Sequence, residues 1–178
     1  MLNYRVPADE VIDTLKKYVP MGGFHIIVDL EKSRGARLVD AATGREYIDF
    51  FSYWASLPVG HKHPKLLTDK KFMAALTRAA VANPNNTDIY SMEYAAFVKN
   101  FARLVKPPFM KHLFFVAGGS LAVENALKTA FDWKVRKNRQ KGIKGEKGRQ
   151  IIHFRESFHG RSGYALSLTN TDPVKVEL

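Results

Sequence analysis

The sequence predicts an α/β fold in which an antiparallel β meander and several helices precede the first βαβ unit of an incomplete, mainly parallel sheet. Three observations predict it. Residues 25–30, 37–40 and 46–51 are β-rich runs separated by Ser33-Arg34-Gly35 and Ala42-Thr43-Gly44, the turn chemistry of a meander. Residues 112–116 and 150–154 are short apolar runs without alternation, the pattern of strands buried on both faces. Between them, Ala117-Gly118-Gly119-Ser120 turns into a helical pattern that reaches about Arg136. Strand, helix and strand would make one right-handed crossover. A single crossover cannot cover its own apolar faces, so the remainder of a larger sheet is expected beyond Leu178.

The other elements are set by period and punctuation. Val11, Ile12, Leu15 and Tyr18 recur at helical spacing after Pro7, and Pro20, Gly22 and Gly23 close the pattern. Pro64 stands in the first turn of a helix carrying Leu66, Leu67, Phe72, Leu76 and Val81, broken by Asn83-Pro84-Asn85-Asn86. Ser91 is positioned to cap a helix whose Tyr94, Phe97, Val98, Phe101 and Leu104 form one stripe before Pro107-Pro108. The expected division is an N-terminal helix and meander over 1–64 and the start of a large domain over 65–178.

Composition narrows the function classes. With 46% hydrophobic and 25% charged residues, the 178-residue chain has the makeup of a globular protein and not of a disordered or collagenous one. The net charge of +11 is concentrated in residues 134–149, where eight Lys and Arg face one acid, Glu146. Gly142, Gly145 and Gly148 punctuate that segment, so it reads as a solvated helix end running into a surface loop. No aromatic residue comes after Trp133 there to stack on a base, and a nucleic-acid partner is not expected. Cysteine is absent, which removes thiol nucleophiles and Cys-based metal sites. Residues 1–9 carry no secretory pattern and no run approaches the ~20 apolar residues of a membrane span. Cytoplasm is the expected location, without a membrane partner.

Two segments could carry chemistry. The glycines of Gly118-Gly119-Ser120 let the backbone turn tightly at a helix start, where exposed N–H groups and the positive dipole end favour an anion such as phosphate. The Ser120 hydroxyl could cap the helix or donate to that anion, and the sequence does not separate the two roles. No Gly-Lys-Ser/Thr comes next, so the turn is not a Walker A loop. Phe158-His159-Gly160-Arg161 lies just after the second expected strand, where α/β sheets bind ligands; the ring can stack on a flat group and the guanidinium can fork a carboxylate. Tyr53 and Trp54 could belong to a core or line a pocket. His61-Lys62-His63-Pro64 lacks neighbouring carboxylates, and Pro64 marks a helix start, so metal ligation is not expected.

Residues 113–134 (LFFVAGGSLAVENALKTAFDWK) and 158–173 (FHGRSGYALSLTNTDP), together with 37–64 and 83–104, resemble the class III, fold-type I pyridoxal-phosphate aminotransferases. Within that class the run Ser162-Gly163-Tyr164-Ala165-Leu166-Ser167-Leu168-Thr169-Asn170-Thr171 is most similar to the lysine ε-aminotransferase branch. The resemblance implies pyridoxal 5'-phosphate as cofactor. It implies that Gly119 and Ser120 bind its phosphate and that Phe158 stacks on its ring with His159 beside it. It further implies that Arg161 holds a substrate carboxylate and that Trp54 lines the substrate pocket. The implied substrates are L-lysine and 2-oxoglutarate, with glutamate as the returning product, in a homodimer; other ω-amino donors and a non-catalytic phosphate-binding module are the alternatives. None of the lysines here sits in the family's Schiff-base motif, so the chain is expected to be an N-terminal portion, inactive by itself, with no catalytic residue of its own.

Overall fold

The computed structural model describes residues 5–85, 88–145, 147–148 and 150–171. Residues 1–4, 86–87, 146, 149 and 172–178 lie outside them. The chain packs as two units, Met1–Leu104 and Val105–Leu178.

In the first unit a 3-10 turn, Ala8–Glu10, comes after Pro7 and runs into α1 (Val11–Lys16). The helix closes where the amides of Tyr18 and Val19 both reach the Leu15 carbonyl, ahead of Pro20. Next is a two-stranded antiparallel hairpin, β1 (Arg37–Val39) with β2 (Glu46–Ile48), in the register Arg37↔Ile48, Leu38↔Tyr47 and Val39↔Glu46. Its turn is organised by Asp40, which accepts hydrogen bonds from the Ile27 and Ala42 amides and, at 2.6 Å, from the Thr43 hydroxyl. Beneath β1 the wholly buried Ser33 accepts the Val39 amide at 3.0 Å, so a small polar residue fills this position without an unsatisfied group.

The meander expected from the sequence loses its first strand. Residues 25–30 contribute one bridge, Val28↔Asp40, because Asp29 accepts the Glu31 and Lys32 amides and bends the chain into a turn. Asp49 ends β2 in the same manner by accepting the Phe51 and Ser52 amides at 2.9 and 2.7 Å. The chain then enters α2 (Ser52–Ala55), a left-handed turn in which φ is 40°, 51°, 58° and 61° at the four residues.

The helix expected from Pro64 to Val81 is two helices. α3 (Pro64–Thr68) begins on the proline, and Asp69 leaves helical space at φ −77°, ψ 95°. Its carboxylate then accepts the Phe72 amide at 2.9 Å and caps α4 (Lys70–Ala80). A short acceptor side chain competing for backbone donors explains the break. The expected cap on α5 (Met92–Leu104) is present: Ser91 accepts the Tyr94 amide at 3.0 Å and donates to the Pro84 carbonyl.

The second unit is built on α6 (Gly119–Gln140), four residues longer than its apolar pattern suggested. Its exposed face is supported by the Arg136–Asp132 pair at 2.7 Å and by Lys137 over the Trp133 ring at 4.4 Å. Gly142, at φ 65°, ends it, and Asn138 donates to the Lys147 carbonyl, folding the basic loop back on the helix. α7 (Gly163–Ser167) packs on α6 through buried Ala165 and Leu127, with Phe131 and Tyr164 meeting edge to face at 5.8 Å.

The expected βαβ unit does not form among the described residues. Residues 112–116 and 150–154 join no sheet, and the hairpin β1–β2 is the one sheet there. A strand exists by its ladder, and neither run has one among the described residues. Ile152 and Phe154 are consequently 99% and 84% exposed and Phe114 68%, the reverse of the burial that their composition called for.

Candidate active site

Gly118 precedes α6 at φ 91°, ψ 157°, a conformation open to glycine and strained for other residues. A Cβ added at Gly118 or Gly119 would meet nothing within 4 Å, so open space borders the first turn of α6. Its N-cap, Gly118, offers no side chain to cap that turn. A 22-residue helix therefore presents its first N–H groups and its positive dipole end to open space on the side of Gly118 and Gly119, which fits an anionic head group such as a phosphate ester.

The segment around Gly160 sits directly against this turn. A Cβ on Gly160 would lie 2.3 Å from Ser120 Oγ and 2.9 Å from Ser120 Cα, and Gly160 itself is at φ 128°. Only a glycine permits that approach. The Ser120 and Ser162 hydroxyls are 2.5 Å apart, and the Ser162 amide also donates to Ser120 Oγ at 3.2 Å. From the other side, Thr169 Oγ1 accepts the His159 amide and lies within 2.8 and 3.0 Å of the Gly160 and Ala165 carbonyls. Asn170 closes the loop by donating to the Ser157 carbonyl. The chain from 157 to 170 is thus a compact loop stitched to its own backbone and to α6.

Gly119 and Ser120 adjoin the loop that carries Phe158, His159 and Arg161. Phe158 is 58% exposed and Arg161 is exposed with no ion pair among the described residues. His159 is half-buried, with Nε2 at 2.8 Å from Ser157 Oγ. Since the Ser157 hydroxyl donates to the Phe154 carbonyl at 2.7 Å, the histidine nitrogen is the donor of that pair. Trp54 belongs to the first unit, on the left-handed α2 turn; it is 86% exposed and packs edge to face on Phe51 at 5.3 Å. It is therefore not a core residue of that unit. His61, in the same unit, is buried with Nε2 3.5 Å from Asp49 Oδ2 and its ring 5.7 Å from Tyr53. Burial, and after it the Asp49 charge, raises the Tyr53 hydroxyl above its ordinary value of 10.0.

Sequence reasoning missed three polar residues that hold the loop: Glu124, Ser162 and Thr169. Glu124 is four residues after Ser120 and so on the same helix face, a signal that was available. Ser162 and Thr169 had no such signal, because their partners are 42 and 9 residues away.

The profile of the aminotransferase class-III family matches residues 18–178, and the chain belongs to that family. Among curated relatives it is 51% identical over 166 residues to the L-lysine-epsilon aminotransferase of Mycobacterium bovis, an alignment that covers 93% of this chain and 37% of the relative. It is 48% identical over 177 residues to the L-lysine-epsilon aminotransferase of Amycolatopsis lactamdurans, covering 96% and 39%. The structure of lysine aminotransferase from M. tuberculosis superposes with a TM-score of 0.90 at 49% identity, over 96% of this chain and 39% of that one. The chain spans a little over a third of the length of these relatives. Its fold is that of the corresponding part of the lysine aminotransferase.

Proposed function

We propose that this chain supplies the phosphate- and carboxylate-binding part of a pyridoxal-phosphate transaminase that moves the ε-amino group of L-lysine to 2-oxoglutarate, giving glutamate. The observation that carries this reading is the seating of the Gly160–Ser162 turn on Ser120 at the uncapped start of α6. Gly119 and Ser120 bind the phosphate at the helix start, where the dipole offsets its charge. Phe158 offers an exposed ring face to the pyridine, and the His159 N–H points back to Ser157, which fixes the imidazole beside that ring. When bound, pyridoxal 5'-phosphate supplies the electron sink that lets an amine be exchanged for a carbonyl.

Arg161 forks the substrate carboxylate. In L-lysine the carboxylate lies about 5 Å or more from the reacting ε-carbon along the extended chain, so a guanidinium set apart from the phosphate suits an ω-amino donor. The same fork serves the dicarboxylate of the second half-reaction. Trp54 lines the substrate pocket of a cytoplasmic homodimer, and no lysine of this chain is assigned the covalent link to the cofactor. The test is amino transfer to 2-oxoglutarate by the longest polypeptide that the gene encodes, with L-lysine, L-ornithine and 4-aminobutyrate as competing donors. Preference for L-lysine, with Arg161→Ala raising KM for both carboxylate substrates about tenfold or more, is expected. Preference for either other donor sinks the lysine assignment.

A further inference from the structure

Glu124 lies on α6 one turn after Ser120 and is 9% exposed, a buried carboxylate with no cation among its partners in the described residues. Its Oε1 accepts two hydrogen bonds, from the Ser162 hydroxyl and from the Ala165 amide, both at 3.0 Å. A buried acidic side chain is costly unless its lone pairs are met, so these two donors account for its tolerance here. They also fix direction. A carboxylate oxygen accepts only, so Ser162 donates its single hydroxyl proton to Glu124. The 2.5 Å contact between the two serine oxygens must then be a donation from Ser120 to Ser162. The chain of protons runs Ser120 to Ser162 to Glu124, and Ser120 Oγ simultaneously accepts the Ser162 amide.

We infer that Glu124 is a positioning residue: through Ser162 it turns the Ser120 hydroxyl proton inward, and it seats the loop bearing Arg161 on the first turn of α6. This rests on the functional reading above for the roles of Ser120 and Arg161. Ser120 then meets the phosphate through its backbone N–H and not through its hydroxyl, which resolves the choice that the sequence left open. Gly163 is part of the same arrangement, since a Cβ there would approach Glu124 Oε1 to 3.4 Å.

The experiment uses the longest polypeptide of the gene, loaded with pyridoxal 5'-phosphate, and compares Glu124→Ala, Glu124→Gln and Ser162→Ala by amide hydrogen exchange and by steady-state kinetics. In Glu124→Ala the amides of Ser162 and Ala165 are expected to exchange at least about tenfold faster. KM for both carboxylate substrates should rise about fivefold or more with kcat little changed. Glu124→Gln keeps an acceptor oxygen and should restore both readouts. Ser162→Ala, which removes the relay while leaving Glu124 in place, should raise KM in the same way. Unchanged exchange at Ala165 in Glu124→Ala, a Gln variant as impaired as the Ala variant, or a KM unmoved in all three overturns the inference. The site reading fails separately: Arg161→Ala leaving KM unchanged sinks that assignment without touching the exchange result.

Discussion

Asp40 concentrates the logic of the hairpin in one side chain. The Thr43 hydroxyl first, and then the Ala42 and Ile27 amides, hold its carboxyl below the ordinary value of 3.8 against the opposing effect of desolvation. A carboxyl whose folded value is depressed contributes stability that is complete above the unfolded value and is lost as pH falls through the folded one. Exchange protection at Ile27 and Ala42 should therefore be constant near neutrality and fall below pH 3.8, and Asp40→Asn should flatten that profile. Gly160 makes the same point sterically. Gly160→Ala puts a methyl group 2.3 Å from Ser120 Oγ in a backbone region that alanine avoids, which should cost about 1–3 kcal/mol. Chemical denaturation, read beside exchange at Ser162, checks it. Gly160 was legible as part of a motif, but its reason was not: the close approach to Ser120 spans forty residues and leaves no local trace.

At the level of elements, the helices were the readable part and the strands were not. The stripes of α4, α5 and α6 and the cap at Ser91 are dictated by spacing alone, because every bond in a helix is local. The split at Asp69 escaped the pattern, since Leu66, Leu67, Phe72 and Leu76 keep a helical period across it. Strand composition at 112–116 and 150–154 says only that such a segment is fit to pair, and pairing depends on partners elsewhere in sequence. The left-handed α2 turn was the least predictable element, as its four residues are not glycine. Left-handed backbone costs an L-residue about 1–2 kcal/mol, and the Asp49 bonds to Phe51 and Ser52 offset part of that at its entrance. Ala55, exposed and at φ 61°, has only an exposed methyl group to lose, so Ala55→Gly should stabilise the protein by about 0.5–1 kcal/mol, measurable as a higher urea midpoint.

Across the whole molecule, two properties pull against each other. The chain carries a net charge of +11, much of it on the last turns of α6 and the loop after it, and like charge keeps molecules apart. At the same time Phe114, Ile152 and Phe154 are exposed on apolar segments that join no ladder among the described residues. Such ribbons are adhesive to one another and to any complementary β surface. Salt weakens the repulsion far more than the attraction, so the colloidal behaviour of this polypeptide should invert with ionic strength: dispersed at about 0.01 M, where charges act over roughly 30 Å, and clustering near 1 M, where they act over roughly 3 Å. Sedimentation velocity at the two salt concentrations reads this directly, and Ile152→Lys with Phe154→Lys should keep the particles separate at both.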